Sequence, residues 1–255
     1  MITDKKKRLE EIWKNYIGKF EDSPEIKKLI DYGFVHSIVD SKKNILFTGI
    51  NPSYNGDPRK PDSFEAHDFD VHEAVTGYKK YYKKFQDIAN HCGIGKEWTY
   101  LDLFYFRATK QRNIDMLLKN GTSLKFLCEQ LILTQEIIEQ LNPKLIVVFN
   151  KGSHEFLGKN ANEQKDEHIW MGYEFKDAKI DGMKNDKSVG ELKYISGLID
   201  SKGRISKEKV TKTKLKGTLV YFSRFIDYRT QRKIKAAIFG NIKKIIESEK
   251  FGNKV

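Results

Sequence analysis

The sequence lacks most of the features that announce a chemistry. Its 255 residues hold two cysteines, Cys92 and Cys128. Two thiols make neither a disulfide framework nor a four-thiolate metal site, so both read as buried free thiols. No apolar run approaches the length that spans a membrane. No His-Glu-x-x-His, complete Walker A or Gly-x-Gly-x-x-Gly sequence occurs, and no internal repeat is visible. The six histidines, His36, His67, His72, His91, His154 and His168, are scattered. The segment His67-Asp68-Phe69-Asp70-Val71-His72 could ligate a metal, although a polar loop of this kind is more often solvated. The first twenty residues, Met1 to Phe20, are charged throughout and read as an amphipathic helix, not a signal peptide. These absences predict a cytoplasmic monomer with no metal, no cofactor and no membrane contact.

Acidic charge is missing from one end of the chain. Residues 201–255 carry 16 Lys+Arg against 4 Asp+Glu, which accounts for the entire net charge of +12. The preceding 200 residues are neutral. A polyanion is therefore the expected partner, and this segment is where it would bind. The 16 Phe, 12 Tyr and 3 Trp require a core and exclude a disordered chain.

Hydrophobic periodicity predicts helices over residues 3–20, from Ser23-Pro24 to Ile30, over 78–88, over 123–141 and over 229–247. Short apolar runs predict buried strands at 44–50, 98–106, 144–149 and 217–222. Residues 53–70 read as a long loop. Residues 158–216 read as a polar insertion with one strand pair, 169–175 and 192–199. Helices alternate with continuously apolar strands, so the fold class is α/β. The expected architecture is a single-domain (1–255), three-layer sandwich around a mostly parallel sheet of about four strands. Helices fill residues 1–40. In such sheets ligands bind beyond the carboxyl ends of the strands. Those ends carry Gly49-Ile50-Asn51-Pro52-Ser53-Tyr54, Arg107 and Tyr221-Phe222-Ser223-Arg224.

Gly49-Ile50-Asn51-Pro52 resembles the first motif of the uracil-DNA glycosylase superfamily, in the Gly-Ile-Asn-Pro-Gly form of its mismatch-specific branch, with Ser53 in place of the last glycine. The strand Tyr100 to Arg107 looks like the one whose polar residue reads the extruded base. The segment Asn142-Pro143-Lys144 to Gly152 is similar to the superfamily's helix, Pro-Lys, strand and glycine. The resemblance covers roughly residues 40–157 and 215–247. It implies a uracil-DNA glycosylase-like fold and hydrolysis of an N-glycosidic bond in single- or double-stranded DNA. It also implies that Asn51 positions the attacking water.

Two positions depart from that pattern. The last motif, usually His-Pro-Ser or Asn-Pro-Ser, is Tyr221-Phe222-Ser223 here. A tyrosine hydroxyl can donate a hydrogen bond to the departing base, but it is neutral and longer than the histidine. The base-reading asparagine corresponds to Asp102. An ionised carboxylate only accepts, which suits a base with an amino group, such as cytosine or adenine. The alternative is that Asp102 faces a helix cap or a lysine. The expected catalytic residues are thus Asn51 and Tyr221. The expected base-binding residues are Gly49, Ile50, Pro52, Ser53, Tyr54 and Asp102. Ser223, Arg224, Arg229, Arg232, Lys233 and Lys216 are expected to contact DNA, with alternate lysines from Lys207 to Lys216 on one face of a strand. A catalytically inactive DNA- or nucleotide-binding member of the same fold, and a small-molecule enzyme, are the competing expectations.

Overall fold

The computed structural model describes residues 4–40, 43–53, 64–77, 81–109, 112–159, 169–183 and 187–252. Tyr54 lies outside the described residues, as do His168 and much of the stretch read as a long loop.

The chain begins with α1 (Lys5–Tyr16), α2 (Pro24–Asp31), β1 (Gly33–Ser37), β2 (Ile45–Gly49) and β3 (Glu65–Phe69). It continues through α3 (Val71–Gly77), α4 (Lys83–Cys92), β4 (Trp98–Asp102), α5 (Arg112–Leu118) and α6 (Gly121–Leu141). The remaining elements are β5 (Leu145–Val148), α7 (Lys151–Leu157), β6 (Tyr173–Asp177), β7 (Gly190–Leu198), β8 (Leu219–Ser223), α8 (Arg232–Glu247) and α9 (Glu249–Gly252). The main sheet has six strands in the order β4-β2-β5-β8-β7-β6. Its first four strands run parallel, and β7 and β6 add antiparallel to the edge at β8. The fold is therefore α/β with a mixed sheet, larger than the four strands expected. The two extra strands are the pair expected inside the insertion.

The four parallel strands are largely apolar and fully buried because both faces of the sheet are covered there. Side chains alternate between two cores. Ile45, Phe47, Leu145, Val147, Leu219 and Tyr221 point to one, with α4 and α8. Leu46, Ile146, Val148, Val220 and Phe222 point to the other, with α1 and α6. The second core is closed by Trp13, whose ring lies 4.9 Å from Phe34 and 4.8 Å from Phe126. The longest helix, α6, starts where the Asn120 side chain accepts from the backbone N–H groups of Thr122 and Ser123. It stops at Asn142 in the left-handed conformation, followed by Pro143, which cannot continue a helix.

Two expectations about the fold are corrected. Strands β1 and β3 form a separate parallel pair, in the register Gly33↔Glu65 to Ser37↔Phe69. One lies in the region read as helices and the other in the region read as loop. Glu65–Phe69 is polar and half exposed, so it carries no apolar run to mark it. The lysines from Lys207 to Lys216 do not share a strand face, because residues 201–218 form turns. Side chains hold those turns in place of a ladder. The buried Arg204 guanidinium donates to Val210 O and Ser206 Oγ, and Glu139 on α6 accepts from Thr213 Oγ1 and the Lys214 N–H.

Candidate functional site

At the carboxyl ends of β2 and β4 lies a cavity of about 110 Å³. Asn51, Pro52, Ser53, Tyr100, Asp102 and Arg107 line it, together with Tyr81, Tyr82 and residues of β1 and β3. This volume holds several waters or a small ring. The position follows from topology, since strand ends in a parallel sheet leave a crevice that loops can furnish.

Register brings the parts together. Gly49 on β2 stands opposite Asp102 on β4. A Cβ on Gly49 would sit 2.0 Å from Tyr100 Oη and 2.2 Å from Asp102 Oδ1. The glycine is therefore needed so that two polar side chains of β4 can pass over β2. Tyr100 and Asp102 share a face because they are two residues apart on a strand. The Tyr100 hydroxyl donates to Asp102 Oδ1 at 2.6 Å. With that proton committed, the Tyr81 hydroxyl, 3.2 Å away, donates to Tyr100. Asp102 Oδ2 is buried with no hydrogen-bond partner among the described residues.

Asn51 follows the strand, where Pro52 blocks continuation of a regular ladder. Its Nδ2 donates to Pro52 O at 2.9 Å and to Ala108 O at 2.7 Å. Two carbonyl acceptors identify Nδ2 as the amino end of the amide and leave Oδ1 as the atom with accepting capacity. Ala108 N–H returns a bond to Pro52 O, so the turns after β2 and β4 brace each other. Arg107, beside them, pairs with Glu65 of β3 at 2.5 Å and donates to Tyr32 O. This ties the small sheet to the cavity's rim.

The cavity's interior is electrically strained. Burial pushes the Asp102 carboxyl up to about 7, opposed by the Tyr100 hydrogen bond and by the attraction of Lys5 and Lys84. Lys5 on α1, behind the cavity wall, donates to Ser37 O at 3.0 Å and is pulled down to about 7 by the same loss of water. Lys84, at the start of α4, lies over the rings of Tyr81 at 4.0 Å and Phe225 at 4.3 Å. Burial draws it down to about 8, with Asp102 and then Asp227 acting against the shift. Through Lys84 the loop after β8 adjoins the cavity wall.

The expected residues divide. Asn51, Pro52, Ser53 and Asp102 line the cavity, with Gly49 beneath them. Ile50 instead packs into the core that α1 and α6 cover. Tyr221 does not line the cavity. It falls in one register row with Val147, Phe47 and Tyr100, three strands away from Tyr100. At the usual strand spacing that is roughly 14 Å. Its ring is fully buried and its hydroxyl accepts from Asn241 Nδ2 at 3.0 Å. The catalytic contact expected of Tyr221 is corrected accordingly: it shares the sheet face of Tyr100, but its strand is three places along the sheet, so it packs in the core under α8 and makes no contact with the cavity.

The basic residues also separate. Arg224, Arg232 and Lys233 are exposed on the loop after β8 and the start of α8. Arg229 is exposed but forks onto Asp227 through Nε and Nη2. Ser223 is buried, with its hydroxyl donating to Arg224 O. Lys216 precedes β8, so it lies at the amino end of a strand about 17 Å long, away from Arg224 at the other end. Tyr81, Tyr100, Lys5 and Lys84 were not expected at the site. Tyr100 was readable from its spacing to Asp102. Lys5 was not, because nothing local links α1 to β4.

Among the described residues, no group of three or more His, Cys, Asp or Glu is placed to hold a metal ion. His72 is engaged with Trp98, its Nε2 3.1 Å from the backbone oxygen. Compared with protein-family models and with curated proteins, the chain shows no match.

Proposed function

We propose that this chain hydrolyses the N-glycosidic bond of a base extruded from DNA, on a fold of the uracil-DNA glycosylase type. The observation that carries the reading is the meeting of Asn51 and Asp102 in one cavity at the carboxyl ends of adjacent parallel strands. A base must leave the stack for its sugar bond to be reached, and a pocket beside a basic edge suits that task. Asn51 Oδ1 accepts from the attacking water and aims its lone pair at C1′, while Nδ2 stays anchored on two carbonyls. Asp102 faces the base's polar edge. Arg224, Arg232 and Lys233 hold the phosphates that flank it.

The test uses oligonucleotides, single- and double-stranded, carrying uracil, hypoxanthine or modified cytosines, followed by alkaline cleavage at abasic sites. Wild-type protein is expected to release a base. Asn51→Ala is expected to slow release at least ~100-fold with DNA affinity nearly intact. If release survives, Asn51 is structural. A second reading, base binding without hydrolysis, is favoured by the distance of Tyr221 from the cavity. Binding with no release from any strand would establish it.

A further inference from the structure

We propose that Asp102 is the general acid of this site and that its substrate is a base with an amidine edge. Such an edge places a ring-nitrogen acceptor beside an exocyclic amino group, as in cytosine, adenine and their modified forms. The inference rests on the glycosylase reading above and assigns it a leaving-group chemistry.

The two oxygens of the Asp102 carboxyl differ in their surroundings. Oδ1 is occupied by the Tyr100 hydroxyl, which Tyr81 backs. Oδ2 is buried and unpaired, on a residue 2% exposed that lines the cavity. Leaving such an atom without a partner is costly, so it marks where a ligand's polar atom belongs. Because Tyr100 donates to Oδ1, a proton on this carboxyl resides on Oδ2. The neutral group then presents a donor at Oδ2 and a remaining lone pair at Oδ1, side by side. An amidine edge offers the complementary acceptor and donor.

Burial supports this by holding the carboxyl protonated to near neutrality, against the pull of its neighbours. The groups that face it are Tyr100 on its own strand, Tyr81 and Lys84 at the start of α4, and Lys5 from α1. His67 and Arg107 share the cavity.

The Oδ2 proton passes to the base's ring nitrogen. The bond from C1′ to the base breaks, and its electron pair leaves with the base, which departs neutral. The water held by Asn51 adds its oxygen to C1′ and releases one proton to solvent. Asp102 is left as a carboxylate and regains its proton from solvent. A lactam edge, an N–H beside a carbonyl as in uracil or hypoxanthine, can pair with the same carboxyl. Its carbonyl oxygen is a far weaker base than an amidine nitrogen, so the proton stays on Asp102 and the leaving group is not activated. Selection thus occurs in proton transfer and not in binding.

Single-turnover release is measured from pH 5 to 9 on strands carrying a modified cytosine, adenine, uracil or hypoxanthine. The expected result is release of amidine-edged bases, with a rate that falls above about pH 7. Asp102→Asn retains a donor and an acceptor, so DNA affinity should change less than ~3-fold. Amidine release should drop at least ~100-fold and lose its alkaline limb. Tyr100→Phe removes a hydrogen bond that lowers the Asp102 pKa, so its alkaline limb should move to higher pH. This variant keeps the acid and reads the mechanism even if Asp102→Asn folds poorly. Release confined to uracil or hypoxanthine overturns the inference and leaves the glycosylase reading standing. Release from no strand overturns both. An alkaline limb unmoved by Tyr100→Phe assigns the acid to another group.

Discussion

Gly49→Ala perturbs the site through one added carbon. The glycine lies on β2 with no positive φ, so its backbone conformation is open to alanine and the effect is steric. The new Cβ would come within 2.0 Å of Tyr100 Oη and 2.2 Å of Asp102 Oδ1. Neither neighbour is a free chain end: Tyr100 is fully buried and bonded to Asp102 and Tyr81. Relief therefore requires β4 to shift or the hydroxyl–carboxylate pair to part. Overpacking of this kind costs about 1–3 kcal/mol. For a chain of this length that corresponds to a fall in Tm of roughly 2–12 °C. Urea unfolding of wild type and variant measures the loss, and base release measures the displacement of Asp102. The same substitution made on a Tyr100→Phe background should cost less, because the nearest atom is gone. A Gly49→Ala protein with native stability and native release would refute the close approach. An equal cost on both backgrounds would refute its attribution to the Tyr100 hydroxyl.

Other outcomes follow from the same contacts. His154 is half-buried against Phe222, with Nε2 buried and unpaired, and this loss of water lowers its pKa to about 4. Its folded pKa lies below the unfolded value of 6.5, so the unfolded chain binds the extra proton between those limits and stability falls as pH drops from 6.5 towards 4. His154→Phe should flatten that loss by up to about 1.4 kcal/mol per pH unit, read from urea midpoints at pH 7 and pH 5. Glu139 accepts from the Tyr173 and Thr213 hydroxyls and the Lys214 N–H. Glu139→Ala should cost about 2–5 kcal/mol and expose residues 201–216 to limited proteolysis. Arg224→Ala should weaken DNA binding and flatten the plot of log affinity against log salt by about 0.9. Lys216→Ala, at the other end of β8, should leave both unchanged.

Much of the fold was legible because it depends on unbroken apolar runs. The strands at Ile45, Trp98, Leu145 and Leu219 are buried on both faces, and no other reading of such runs fits between helices. The β1–β3 pair was illegible for the opposite reason. Glu65–Phe69 is a strand by virtue of its partner and not its own side chains. At the site, the turn Asn51-Pro52 and the strand residue Asp102 were readable because glycine, proline and a lone acid interrupt apolar sequence. Tyr221 misled because a motif position says which strand end a residue occupies and not how far that strand lies from the site: it shares a face with Tyr100 but sits three strands along the sheet. The +12 excess was located correctly in the sequence but treated as one surface, whereas β8 separates Lys216 from Arg224 by its whole length. Lys5 and Lys84 were invisible, since burial of a lysine depends on elements that pack from elsewhere in the chain.

On the proposed function, the cavity between Asn51 and Asp102 receives an extruded base. A crystal structure with an oligonucleotide whose target nucleotide carries a 2′-fluorine, which retards glycosidic cleavage, tests it most directly. The expected density has the base inside the cavity, its polar edge within hydrogen-bond distance of Asp102 Oδ2, and a water between Asn51 Oδ1 and C1′. A strand bound elsewhere on the protein, or bound at this edge with every base stacked, would contradict it.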